Sequence, residues 1–155
     1  MKPGTGYHLI CVTGFQSYSM EAQTIVKEKM YANDAFSQWL GIEIGEVSSG
    51  HCVLTLVVRK DMTNGFGIAH GGITYSLSDS ALAFASNGQG KLTVSVETSI
   101  SHIKAVHEGD RLKAIAREVS ASKRMGYYEV NIFNQHEELV AWFKGTVYKK
   151  EEIWK

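Results

Sequence analysis

An excess of charge of either sign is missing from this chain of 155 residues, in which 16 basic side chains balance 16 acidic ones. That balance argues against a dedicated nucleic-acid or anionic-membrane surface, and neither partner is expected. Cysteine is scarce too. Cys11 and Cys52 are too few and too far apart for a disulfide framework or a zinc knuckle, and a reduced, cytoplasmic setting is the simplest reading. Proline occurs once, at Pro3. The apolar run Leu9–Val12 is too short for a secretory signal or a membrane span, and Thr13-Gly14 interrupts it. No internal repeat, low-complexity tract or interdomain linker is present. The length fits one domain that buries about two-thirds of its unfolded surface.

The most informative absence lies between Asp61 and Lys91, where Asp79 is the only formally charged residue. Glycines at 65, 67, 71 and 72 open this stretch, which then turns into a helix-like run. Ile73, Leu77, Ala81 and Phe84 share one helix face, and Ser76, Ser78, Ser80, Ala83, Ala85 and Ser86 fill most of the rest. Such a helix can be approached closely on most sides, as one enclosed by other structure must be. Asp79 lies too deep in it to cap the first turn, and no cation stands three or four residues away. Its carboxylate is exposed, paired by something distant, or functional. His70-Gly71-Gly72 at the helix start presents unpaired N–H groups at the positive end of the helix dipole, where a developing oxyanion could sit.

The pattern Asn64-x5-His70-Gly71-Gly72-x6-Asp79 resembles the signature of the hotdog-fold acyl-CoA thioesterases, in their phenylacetate-degradation (PaaI-like) branch. The resemblance extends over most of the chain after about Ala32, including Leu40-Gly41-Ile42-Glu43 and the Gly109-Asp110 turn. It implies a curved antiparallel sheet wrapped around the central helix. It also implies a catalytic set of Asp79, Gly71, Asn64, His70 and Ser95. Asp79 would be the base or nucleophile, contributed by the neighbouring subunit, and the Gly71 N–H the oxyanion donor. Asn64 would help place the water or acyl group, although Asn-Gly is a turn signal in its own right. His70 would shape the loop or contact the thioester. Ser95 would supply a helper hydroxyl. Gly72 would line the acyl-CoA site, and Lys123-Arg124 would meet the coenzyme A phosphates.

The implied partners are an acyl-CoA substrate and further copies of the chain, as a homodimer or a dimer-of-dimers tetramer. No metal or redox cofactor is expected. The sequence departs from the family pattern at Lys104-Ala105-Val106, where relatives often have proline, and at Ser122, where a glycine often precedes the basic residue.

The residues themselves also predict an α+β order. Asn33 or Asp34 caps a short helix with Phe36, Trp39 and Leu40 on one side, and Gly41 stops it. Strands follow at Ile42–Val47 and around Cys52, Leu54, Leu56 and Val58. After the central helix, Gly88-Gln-Gly90 breaks the pattern. Four more strands carry Val94, Val96 and Ile100; Leu112, Ala114 and Ala116; Tyr127–Phe133; and Leu139–Tyr148.

No metal-ligand spacing links the six histidines, and His102 and His107 flank a strand end. A Ser/His/Asp triad is rejected because no Gly-x-Ser-x-Gly elbow exists. Two other readings remain beside the thioesterase. A non-catalytic acyl-CoA-binding or sensor module would normally carry an output domain, and no helix-turn-helix segment is present. A hotdog hydratase or dehydratase would place its His and acid differently.

Residues 1–19 are expected to form a flexible N-terminal extension and residues 20–155 a single hotdog thioesterase domain, since helix formers run on from Met20. A chain beginning at Met20 is then expected to match the full chain in melting temperature and oligomeric state. A melting point lower by several degrees would show that the arm packs on the body.

Overall fold

The computed structural model describes residues 21–155, so the expected extension over 1–19 lies outside the described residues. The described chain opens with an α-helical turn that passes into the π-helical segment Ile25–Met30 and the 3-10 turn Tyr31–Asn33. Helix α1 (Ala35–Leu40) is capped by Asp34 rather than Asn33. The Asp34 side chain accepts from the Ser37 N–H at 3.0 Å and from the Ser37 hydroxyl at 2.6 Å. Gly41 ends the helix at φ 80°, the left-handed position glycine tolerates.

The buried side of α1 differs from the expected one. Ser37 and Leu40 face inward, whereas Phe36 and Trp39 stand 51% and 59% exposed. The reason is polar. Ser37 Oγ lies 3.0 Å from Ser80 Oγ on the central helix, which turns the small side of α1 inward. Trp39 is left outside, under the Arg59 guanidinium at 5.6 Å.

Six strands form one antiparallel curved sheet: β1 (Glu43–Ser48), β2 (His51–Val57), β3 (Lys91–His102), β4 (Arg111–Ala121), β5 (Met125–Phe133) and β6 (Leu139–Ile153). Their spatial order is β1-β2-β4-β5-β6-β3. The long helix α2 (Gly71–Asn87) packs against this sheet, which makes the α+β hotdog arrangement. Alternation carries Cys52, Leu54 and Leu56 inward from β2, and Leu112, Ala114 and Ala116 inward from β4. They meet Leu77, Ala81 and Phe84 of the expected helix face; Ile73 is only half-buried. Thr74, Ser78, Leu82, Ala85, Ser86 and Asn87 are buried as well, so the helix is enclosed as its small residues predicted.

The close approach of α2 to β6 depends on Gly145. A Cβ at that position would overlap Leu82 Cδ2. Gly145→Ala is therefore expected to cost about 1–3 kcal/mol by overpacking. A denaturant midpoint equal to that of the native chain would show that α2 moves aside freely.

At its far end α2 is fastened by polar contacts. Asn87 Nδ2 donates to the Thr93 carbonyl and hydroxyl, and Asn87 Oδ1 accepts from the Thr93 N–H and from Trp154 Nε1. Beyond the helix, Gln89 Nε2 donates to Glu118 Oε2 at 2.6 Å, and Tyr128 donates to the same oxygen at 2.7 Å. Burial alone would raise the Glu118 carboxyl, but these bonds and the Lys149 ammonium hold it below the usual range.

β3 corrects the expected alternation. Val94 and Val96 are 45% and 55% exposed, and Thr93 is the inward residue. A register shift against β6 between Ser95 and Glu97 leaves Val96 as an extra, unpaired residue, which breaks the two-residue period. Among the described residues β3 is also an edge strand, paired only with β6.

Candidate active site

The loop before α2 is built by its own backbone and by Asn64. Asn64 N–H donates to the Ile68 carbonyl at 2.8 Å, and Gly67 N–H donates to the Asn64 carbonyl at 3.0 Å. Gly67 adopts φ 76°, a requirement that glycine meets without strain. Asn64 Oδ1 accepts from the Phe66 N–H at 2.9 Å, an Asx turn. The turn reading of Asn64 is therefore realised, while its Nδ2 has no partner among the described residues. Phe66 stands 90% exposed at the loop tip. Two bonds fix the loop to the body: Ala69 N–H to the Val106 carbonyl at 2.7 Å, and His70 N–H to the Met62 carbonyl at 2.8 Å.

His70 is the N-cap of α2, and its Nδ1 accepts from the Gly72 N–H at 2.9 Å. Nδ1 therefore carries no proton, and the neutral ring is protonated on Nε2. Ile73 N–H donates to the His70 carbonyl at 2.9 Å. Of the first three donors of the helix, Gly72 and Ile73 are thus used. The Gly71 N–H has no acceptor among the described residues and points the helix dipole's positive end at whatever binds there. Spacing alone does not separate the two glycines, to which only the resemblance gives different roles; in the structure the Gly71 donor is the open one.

His102, at the end of β3, also belongs to this corner. A Cβ on Gly71 would lie 3.0 Å from His102 Nε2, and His102 Nδ1 is 3.3 Å from Thr74 Oγ1, which bonds the Gly71 carbonyl at 3.1 Å. Sequence reasoning placed His102 only at a strand end. The contact joins residues far apart in the chain, so no local spacing could have revealed it. Asn64, Ile68, Gly71, Thr74, His102 and Val140 are among the walls of a cavity of about 350 Å³.

Asp79 lies eight residues beyond Gly71, roughly 12 Å along the axis at 1.5 Å per residue. Its carboxyl is half-buried and makes no hydrogen bond or ion pair among the described residues. Burial raises it above the usual carboxylate range. Tyr75, one turn before it, bonds the Thr98 hydroxyl, and Asn87, two turns after it, bonds Thr93. Asp79 is therefore level with the part of β3 that contains Ser95, which is exposed.

Lys123 and Arg124 are exposed in the β4–β5 turn, where neither forms an ion pair among the described residues. Ser122 closes that turn, its N–H donating to the Met125 carbonyl at 2.8 Å and its Oγ accepting from the Met125 N–H at 3.0 Å. Lys149 N–H, one residue past the Val94 partner Tyr148, donates to the Arg124 carbonyl. The turn thus sits at the Ser95 end of the sheet. The expected residues are spread along α2. Asn64, His70, Gly71 and Gly72 gather at the start of α2, Asp79 stands at its middle, and Ser95, Lys123 and Arg124 lie towards its other end.

The chain is similar to known proteins in both sequence and fold. The Thioesterase superfamily model matches residues 66–141. A protein of Archaeoglobus fulgidus is 39% identical over 142 residues, covering 92% of this chain and 90% of its own. The acyl-coenzyme A thioesterase PaaI of Escherichia coli is 38% identical over 120 residues, 77% of this chain and 86% of that protein. The solved structure of E. coli PaaI, from the phenylacetic acid degradation operon, superposes with a TM-score of 0.85 over 88% of this chain and 98% of its own, at 34% identity. A Streptococcus mutans protein solved with bound acetyl-CoA superposes at 0.71 with 26% identity, over 73% of this chain and 91% of its own. The chain belongs to the Thioesterase superfamily, as a hotdog-fold thioester hydrolase of the PaaI-like branch.

Proposed function

We propose that this enzyme hydrolyses the thioester of an aryl- or medium-chain acyl-CoA in a site that two subunits complete. The observation that carries the reading is the axial separation of Asp79 from the one open donor of the helix start. A carbonyl oxygen bound to the Gly71 N–H lies too far from Asp79 of the same chain for a carboxylate to reach. The exposed, one-sided edge of β3, with Val94 and Val96 turned outward, supports a homodimer or a dimer of dimers, in which Asp79 of one subunit faces Gly71 of the other.

The thioester oxygen accepts from the Gly71 N–H, and negative charge gathers on it as the carbonyl carbon is attacked. Asp79 either takes a proton from water, whose oxygen bonds to that carbon, or bonds to it directly and is freed by water afterwards. Collapse of the tetrahedral intermediate breaks the carbon–sulfur bond. The sulfur leaves as a thiolate, which needs no strong acid. A carboxyl raised by burial is a better base than an ordinary one, provided that it is ionised. Asn64 Nδ2 is free to orient the acyl group, and His70 holds the loop by engaging Gly72. Ser95 supports Asp79, Gly72 borders the acyl group, and Lys123 with Arg124 meets the phosphates.

The phenylacetic acid degradation operon of E. coli PaaI supports an aryl or medium-chain group. Cys52 takes no part; burial pushes its thiol up to about 12. A reduced, cytoplasmic setting suits a free thiol of this kind. Among the described residues, no helix is long and apolar enough to cross a membrane. A thiol-release assay against phenylacetyl-, hydroxyaryl-, medium-chain and acetyl-CoA tests the reading, with aryl or medium-chain esters expected to turn over fastest. Binding of coenzyme A esters without thiol release from any of them would instead support a sensor.

A further inference from the structure

We propose that His102 is a specificity residue which accepts a hydrogen bond from the amide N–H of the substrate's pantetheine arm, beside the thioester. The inference rests on the reading that the thioester carbonyl docks at the Gly71 N–H. It starts from one proton. The Thr74 hydroxyl has a single hydrogen, and the Gly71 carbonyl 3.1 Å away can only accept it. The 3.3 Å contact between Thr74 Oγ1 and His102 Nδ1 is then filled from the ring side, with Nδ1–H donating. A neutral imidazole protonated on Nδ1 has its lone pair on Nε2.

That lone pair has no donor among the described residues, and Nε2 is the ring atom nearest Gly71, 3.0 Å from a Cβ built there. Since N and Cβ of one residue are about 2.5 Å apart, Nε2 lies within about 5.5 Å of the Gly71 nitrogen. An open donor and an open acceptor therefore stand side by side at one wall of the cavity. Lys104, the nearest cation in sequence, is occupied by Glu138 at 2.6 Å and does not compete for the lone pair.

A coenzyme A thioester presents the complementary pair. Its carbonyl oxygen accepts, and its first N–H donor is the amide two carbons beyond the sulfur. A water molecule is the other donor that the site could take. The cavity of about 350 Å³, walled by Ile68, Val106 and Val140 beside these polar groups, is roughly ten times the share of one water and suits a linear arm with an amide in it. The proposed mechanism gives the role of base or nucleophile to Asp79.

The test compares two thioesters of one acyl group. One is built on N-acetylcysteamine, which keeps the amide; the other is built on an alkanethiol of equal length, which lacks it. The ratio of their kcat/KM values is measured for the native enzyme, His102→Phe and His102→Gln, with each variant's melting curve as a folding check. His102→Phe keeps the ring plane without an acceptor, and it is expected to lower the preference for the amide-bearing ester by about 3–10-fold, mainly through KM. His102→Gln, which retains an acceptor, is expected to recover part of it. Equal losses on both esters, carried by kcat, would assign His102 to the attacking water and overturn the proposal. An unchanged ratio in His102→Phe would overturn it as well. Gly71→Pro separates the two readings: native rates with that variant on both esters would remove the Gly71 docking itself, whatever the ratio shows.

Discussion

Replacing Asp79 by Asn is expected to lower thioester turnover by roughly 10²–10⁴-fold while the fold stays intact. Asparagine has the shape of the carboxylate, but it neither takes a proton from water nor attacks a carbonyl. The same substitution is expected to stabilise the protein at neutral pH. Burial raises the Asp79 carboxyl in the folded state, and no partner among the described residues offsets it. The unfolded chain ionises near the ordinary carboxylate value of about 3.9. Between that value and the raised one, the folded state holds the extra proton. Stability therefore falls as pH rises through this window and stays lowered above it. The replacement amide has no charge to desolvate, so Asp79→Asn should melt above the native protein at pH 7, with the difference vanishing below about pH 4. Native hydrolysis rates in the variant would reject the catalytic assignment. A lower melting point at pH 7 would reveal a stabilising partner for the carboxylate.

Mixing two inactive chains is expected to restore activity. Gly71→Pro removes the proposed oxyanion donor, and the local structure tolerates the change. Gly71 is the first helical position, where proline is favoured, and His70 before it has φ −61° and ψ 137°, an extended conformation that suits a following proline. The atoms nearest the added Cβ belong to the exposed His102 ring, which can swing aside. Homo-oligomers of Gly71→Pro and of Asp79→Asn should each be nearly inactive. In a co-refolded hetero-dimer, one composite site has both an intact Gly71 and an intact Asp79, and the other carries both defects. Activity should return to about half that of the native dimer, because one of two sites is whole. No recovery, with hetero-oligomers confirmed by mass and Gly71→Pro shown to fold, would mean that the site is completed within one chain.

Local rules in the sequence determined much of this fold. The cap at Asp34, the stop at Gly41, the alternation of Cys52, Leu54 and Leu56, and the enclosed central helix all follow from spacing and side-chain size acting over a few residues. So does the isolation of Asp79 in an uncharged stretch, which motivates its proposed role. Other features required the tertiary structure. The bulge at Val96 turns a regular pattern outward, because pairing with β6, and not the pattern of β3 alone, sets its register. Phe36 and Trp39 are exposed because Ser37 is drawn to Ser80, a contact between distant segments. His70 occupies Gly72 and leaves Gly71 open, a distinction that spacing alone does not carry. His102 reaches Gly71 only because β3 runs back along α2. Short-range periodicity decides which element forms and which face is apolar. Hydrogen-bond partners and neighbours brought from afar decide which donor stays free, and the chemistry depends on that.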